Sequence, residues 1–246
     1  MVKPKIYLSP AYHKANTCCY QRLDGQACYE TLHNNEYLDI LEPRLLALGF
    51  DVKRGPRRTP MSSEDGTALM NQAIAESNSW GAAVHYVSHT NASGNGIVPG
   101  TARGYHVMYY AGSTNGEKLA QVFSRHRKEV YPSFTKVIAR PSQYGGNLAE
   151  LRNTTAVAVY QEHVFHDNQE DAAWFHEHMA EVAECDCKSL CEWFGVEYTT
   201  PAAGDEKPAI KFGLNYTMAD GPSWYVDGKE VTAGVFLGAL IKMMEE

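Results

Sequence analysis

Apolar and polar positions along the first 194 residues switch between a period of two and a period near 3.6, and the switches predict the elements. "KIYLS" (5–9) is a short apolar run with β-branched and aromatic character and predicts a buried strand. Leu38, Leu41, Leu45 and Leu48 then recur at spacings of three and four, which predicts a helix over 30–48. Pro43 inside that run predicts a kink or a late start, and Gly49 a stop. "FDVKR" (50–54) reads as a second strand. "SSEDGTALMNQAIAESNSWG" (62–81) reads as a helix capped by Ser62 or Ser63, with Gly81 just past its end. "AAVHYVS" (82–88), "GYHVMYYAG" (104–112) and "TAVAVYQ" (155–161) are further strands. "TNGE" (114–117) is a capping box that launches a helix to about Val130, with Leu119, Val122 and Phe123 on one face. Asn168 caps a last helix whose Trp174, Phe175, Met179 and Val182 face inward.

Strands and helices alternate from residue 4 to about 194. That order predicts an α/β fold: an open, largely parallel twisted sheet with helices on both faces. The composition then changes. Residues 1–198 read as the main domain, and "TTPAAGDEKPA" (199–209) as a linker rich in Pro, Ala, Gly and charge. Residues 210–246 read as a small α+β appendage, with "WYVDGKEV" as a hairpin with an Asp-Gly turn and "AGVFLGALIKMMEE" as a helix. So short a segment rarely folds alone. It is expected to dock on the main domain, on a second copy in a homodimer, or on a ligand.

Charge narrows the function classes. Lys and Arg number 22 against 29 Asp and Glu, a net charge of −7, which argues against a nucleic-acid binder. Hydrophobic residues at 44% and charged residues at 21% suit a globular domain. No run reaches the length of a membrane span. "MVKPKIYLSPAYH" enters a strand at once, so synthesis in the cytoplasm without a signal peptide is expected. The six cysteines, at 18, 19, 28, 185, 187 and 191, lack CxxC spacing and are expected to be reduced. "CDCKSLC" offers metal ligands in principle, but packed thiols near a helix end are the favoured reading.

Candidate chemistry gathers at strand ends. His85 and His89 are four apart, but on a strand that spacing spans about 13 Å, too far for one metal ion. His89, at the C-terminal end of its strand, is the better candidate, because ligands of open α/β sheets bind outside those ends. His13 follows the first strand, and Glu162 follows "TAVAVY". Glu162 is a carboxylate on an apolar strand, costly there unless paired or coordinated. Glu30 opens the first helix, where a negative charge is favourable on its own account. Asn91 and the glycines after it read equally as a turn or as a loop that admits a ligand.

"IYLSPAYHKANTCCY", Glu30, "HYVSHTNASGNGIVPGTARGYHVMYY" and "NLAELRNTTAVAVYQEHVFHDNQEDAAWF" follow in this order. Together they resemble the zinc-dependent N-acetylmuramoyl-L-alanine amidases of the Amidase_3 family, in particular bacteriophage and prophage endolysins and clostridial autolysins, over roughly residues 3–195. The resemblance implies zinc ligands His89, in "SHTNA", and Glu30, with His13 as the first ligand. "AYHKA" replaces the usual "GHGG", which makes His33 a rival for that first position. It implies Glu162 as the catalytic glutamate, with His163 and Val164 in place of the usual intervening residues.

The reaction so implied is hydrolysis of the bond between the lactyl carbonyl of N-acetylmuramic acid and L-alanine. Two His and one Glu leave the fourth tetrahedral position of zinc open to water, and Glu162 would take the water's proton and return it to the leaving amine. The expected partner is bacterial peptidoglycan, reached after release through a lysis pore. A zinc carboxypeptidase or deacetylase, and a non-catalytic peptidoglycan-binding protein, are the alternative readings.

Overall fold

The computed structural model describes residues 3–21, 27–94, 99–142 and 148–200, and the backbone of three later strands at 212–217, 221–226 and 229–231. The chain divides into two units, 1–200 and 201–246. In the first, the strands are β1 (Lys5–Pro10), β2 (Thr17–Gln21), β3 (Ala27–Tyr29), β4 (Asp51–Arg54), β5 (Val84–Asn91), β6 (Tyr105–Tyr109), β7 (Val137–Pro141) and β8 (Val157–Phe165). The helices are α1 (Glu30–Ala47), α2 (Gly66–Trp80), α3 (Thr114–Val130), α4 (Ala149–Arg152) and α5 (Gln169–Phe194).

Six strands form one sheet in the order β4-β1-β5-β8-β6-β7. Every neighbouring pair is parallel except β6 with β8. The period-two pattern sorts side chains to the two faces. Ile6, Leu8, Val84, Tyr86 and Val159 meet Tyr37, Leu38 and Leu41 of α1, Leu119 and Phe123 of α3, and Phe175 and Val182 of α5 in one core. On the other face Tyr7 packs with Ala73 of α2, and Val87, Ala158 and Tyr160 pack with Leu151 of α4. Helices thus cover both faces of a mostly parallel sheet, as the alternation predicts.

Several elements differ from the sequence reading, each for a local reason. α1 starts at Glu30 and runs through Pro43. The missing hydrogen bond and ring clash cost about 3 kcal/mol, while full burial of Leu38, Leu41 and Leu45 contributes about 1.5–3 kcal/mol each. α2 is capped by Asp65, whose side chain accepts from the Thr67 N–H, rather than by Ser62 or Ser63. The Ser62 hydroxyl is engaged by Glu64, and Arg58 holds the Ser62 and Glu64 carbonyls in a turn before the helix. α3 is capped one residue earlier than the box suggested, by Ser113 accepting from the Gly116 N–H. β5 and β8 extend to Asn91 and Phe165, past the predicted ends. The β2–β3 ribbon, β7 and α4 were not predicted, being short and weakly periodic.

In the second unit β9 (Phe212–Thr217), β10 (Gly221–Val226) and β11 (Lys229–Val231) form an antiparallel sheet in the order β11-β10-β9. Val226 pairs with Lys229. The Asp-Gly turn, most of the 199–209 linker and the C-terminal helix of the sequence reading lie outside the described residues. Among the described residues no helix is long and apolar enough to cross a membrane.

Candidate active site

Strand pairing brings two candidate residues side by side. In the parallel β5–β8 ladder His89 lies opposite Glu162, and the register then slips before the Asn91–Phe165 pair. Such an irregularity bends a strand and re-aims the side chains beside it, and is common next to active sites. It falls at the C-terminal edge of the sheet, where a parallel sheet offers its binding crevice.

Glu30 is the first residue of α1, where the partial positive charge of the helix end favours a carboxylate. The residue is 1% exposed, and both of its carboxylate oxygens are engaged. Oε1 lies 2.8 Å from His89 Nδ1 and accepts from the Thr90 N–H at 3.2 Å. Oε2 accepts from Asn16 Nδ2 at 2.7 Å and lies 3.7 Å from His13 Nε2. The loop carrying His13 is tied down on both sides: Thr31 Oγ1 donates to the His13 carbonyl, Arg58 Nη1 donates to the Tyr12 carbonyl, and the Glu30 N–H donates to the Asn16 carbonyl at 2.8 Å. His13 and His89 meet edge to face with ring centroids 5.2 Å apart, and His89 stacks on Tyr160 at 4.5 Å.

The structure therefore brings His13, Glu30 and His89 together, their donor atoms all within 4.8 Å of one another. His33 is elsewhere: its Nδ1 faces Cys28 Sγ at 3.3 Å, in a group with Cys18 and His176. His85 is also apart from the first group, fully buried, stacked on Tyr7 and 3.2 Å from Glu150 Oε1.

The electrostatics separate the two carboxyls. Burial opposes ionisation of Glu30, but the imidazoles of His89 and His13 outweigh it and hold the carboxyl below its usual range. Burial, and then the charge of Glu30, push Glu162 well above the usual carboxylate range. Glu162 Oε2 is buried and has no hydrogen-bond partner among the described residues. Burial also lowers the pKa of His13, which favours the neutral imidazole that a metal needs as a ligand.

Two imidazole nitrogens and one ionised carboxylate oxygen are an ordinary donor set for zinc, and three such ligands leave one position open. The donors here suit that set: Oε1 of Glu30 lies 2.8 Å from His89 Nδ1 and Oε2 lies 3.7 Å from His13 Nε2, and one donor atom from each of the three residues lies within 4.8 Å of the others. His13 and His89 border a cleft of about 510 Å³ that Tyr12, Arg58, Leu148 and Tyr160 also line. A recess of about 260 Å³ shares His13, His89, Leu148 and Tyr160 with it and adds Asn16, Glu30, Glu162 and His166.

The sequence reading missed Asn16, Thr90, Tyr160 and His166. His166 Nδ1 lies 3.0 Å from Thr90 Oγ1, and its N–H donates to the Asn91 carbonyl at 2.8 Å. Their nearness to the site comes from strand register and loop closure, although all four lie inside the stretches that carry the family resemblance.

No protein-family model matches the chain, and no curated protein matches its sequence. Solved structures do match. The catalytic domain of the CD27L endolysin targeting Clostridia difficile superposes with a TM-score of 0.59 at 18% identity, over 80% of this chain and 99% of that one. The chain has the fold of these catalytic domains. The N-acetylmuramoyl-L-alanine amidase AmiC2 of Nostoc punctiforme matches at TM-score 0.61 and 15% identity, over 79% of this chain and 98% of that one. The CwlD amidase from Clostridioides difficile, in complex with the GerS lipoprotein, matches at 0.63 and 14%, over 79% of this chain and all of that one.

Proposed function

We propose that the chain is a zinc-dependent peptidoglycan hydrolase that cleaves the amide between N-acetylmuramic acid and L-alanine. The observation that carries this reading is the convergence of His13, Glu30 and His89 beside a buried Glu162 whose Oε2 has no hydrogen-bond partner among the described residues, at the open edge of a sheet whose fold matches amidase catalytic domains.

His13, Glu30 and His89 would hold the zinc, with Asn16 and the Thr90 N–H fixing the Glu30 carboxylate. When bound, zinc polarises a carbonyl and acidifies water. Glu162 is suited to carry a proton. Two carboxyls whose surroundings push their pKa values apart divide their roles, the ionised one as ligand and the other as acid and base. Ionised once a bound metal's charge offsets that of Glu30, Glu162 would take the proton of the attacking water and deliver it to the alanine nitrogen as the C–N bond breaks, leaving the lactyl carboxylate. The cleft bounded by Tyr12, Arg58 and Leu148 is open enough to admit a glycan bearing a peptide. In this reading the substrate is bacterial cell wall, reached from the cytoplasm through a lysis pore, and the unit 201–246 serves wall binding or self-association.

The test is digestion of a soluble muramoyl-peptide with identification of both products by mass spectrometry, alongside zinc content of His13→Ala, Glu30→Ala and His89→Ala. The reading expects a free lactyl carboxylate and a peptide beginning with L-alanine, and less zinc in each variant. Release of acetate or of a C-terminal amino acid would replace it with a deacetylase or carboxypeptidase. Full zinc retention in His13→Ala would remove that residue from the ligand set.

A further inference from the structure

A second group of metal-ligating side chains lies outside the site above. Cys18 on β2, Cys28 on β3, His33 on α1 and His176 on α5 point their donor atoms at one another, all within 4.8 Å. Cys28 Sγ is 3.3 Å from His33 Nδ1 and 3.3 Å from His176 Nε2. Cys18, Cys28 and His33 are buried and His176 is half-buried. We infer that these four residues form a closed Cys₂His₂ zinc site with a structural role, separate from the catalytic centre.

The geometry supports this directly. Zinc binds sulfur at about 2.3 Å and nitrogen at about 2.0–2.1 Å, so a tetrahedral S₂N₂ set has edges of about 3.4–3.8 Å. The observed 3.3 Å sulfur–nitrogen edges lie close to that range. Four protein donors leave no open position, as in structural zinc sites. The outer groups are in place as well. His33 Nε2 lies 2.7 Å from Thr90 Oγ1, which leaves Nδ1 toward the cluster, and Tyr20 stacks on the His176 ring at 3.9 Å. Such partners orient metal-bound imidazoles. The Tyr20 N–H donates to Cys18 Sγ at 3.3 Å, a contact that favours a metal-bound thiolate.

The site has a clear place in the fold. Glu30 stands two residues after Cys28 and three before His33, so a metal there clamps the corner between β3 and α1 from which Glu30 projects. It also joins the β2–β3 ribbon to α5. The inference does not rest on the amidase reading, because its ligands are separate from His13, Glu30 and His89.

Cobalt substitution of the full-length protein tests it. Thiolate ligation gives an intense near-ultraviolet charge-transfer band that a His₂Glu site does not. The expected result is that band in wild type and in His89→Ala, its loss in Cys18→Ser and in Cys28→Ser, and two zinc equivalents per wild-type chain. A mercurial thiol reagent added to the zinc-loaded wild type should release one equivalent, a readout that holds even if the cysteine variants fail to fold. Absence of the band in cobalt-loaded wild type, its persistence without both cysteines, or a Cys18–Cys28 disulfide in protein prepared with reductant would overturn the site. Absence of the band in cobalt-loaded wild type together with normal amidase products would sink this inference alone. The band with no muramoyl–alanine cleavage would sink the proposed function alone.

Discussion

Replacing Glu162 by Gln separates catalysis from folding. The side chain keeps its volume and one carbonyl oxygen but can no longer accept or return a proton. A general base of this kind contributes about 10²–10⁴-fold, which is about 2.7–5.4 kcal/mol on the barrier at 1.36 kcal/mol per decade. Because Glu162 lies opposite His89 and is not within the ligand group, zinc should be retained. Stability should move the other way. Burial and the Glu30 charge raise the folded-state pKa of Glu162 well above 4.5. In metal-free protein the unfolded chain therefore ionises first, and the stability contributed by the protonated carboxyl is lost as pH rises from 4.5 toward the folded value. Gln has no such loss. Metal-free Glu162→Gln should thus melt at or above the wild-type temperature at pH 7, with the gap narrowing near pH 4. The assays are kcat/KM on a soluble muramoyl-peptide, zinc content, and thermal denaturation of chelator-treated protein at both pH values. Near-normal turnover would remove Glu162 from the mechanism. A variant markedly less stable than wild type at pH 7 would refute the claim that its buried oxygen lacks a partner.

Three further outcomes are expected. Asp186 accepts from Arg127 Nη2 at 2.9 Å and from Tyr37 and Tyr86 inside the core. Asp186→Ala leaves the Arg127 charge unpaired, so it should cost about 3–5 kcal/mol in denaturant unfolding; a loss under 1 kcal/mol would show that water reaches the pair. Burial, then Arg140, lowers His106 from 6.5 to about 4. The neutral ring therefore stabilises the fold above pH 6.5, and that contribution is lost as pH falls toward 4. His106→Gln should flatten the stability profile over that window, and an unchanged slope would contradict the assignment. Truncation after Thr200 should retain zinc and cleavage of soluble muropeptide while losing wall binding or self-association; loss of cleavage would make the tail part of the catalytic unit.

Most of the fold was legible because β1, β5 and β8 are buried on both faces and read as continuous apolar runs, while α1, α3 and α5 bury a periodic stripe. The candidate catalytic residues were legible for a related reason. His13, His89 and Glu162 are polar groups near the C-terminal ends of those runs, where ligands of parallel sheets bind. The family resemblance added the roles. The Cys₂His₂ group was not legible. Cys18 and Cys28 meet through a short ribbon in which Thr17 pairs with Tyr29, and His176 comes from a helix far along the chain. No local spacing encodes such a meeting. "CDCKSLC" follows its favoured reading: Cys185, Cys187 and Cys191 are buried thiols in the last turns of α5. His33 entered as a rival first ligand because "AYHKA" departs from the usual "GHGG"; in the structure its ring turns to Cys28 and His176 instead.

The most direct test of the central claim is the chemistry of the ends made on intact cell wall. Purified sacculi treated with the zinc-loaded chain should gain free L-alanine amino groups without new reducing sugars, and chelation should stop the gain until zinc is restored. New reducing ends, or stem-peptide cleavage with the muramoyl–alanine bond intact, would contradict the account.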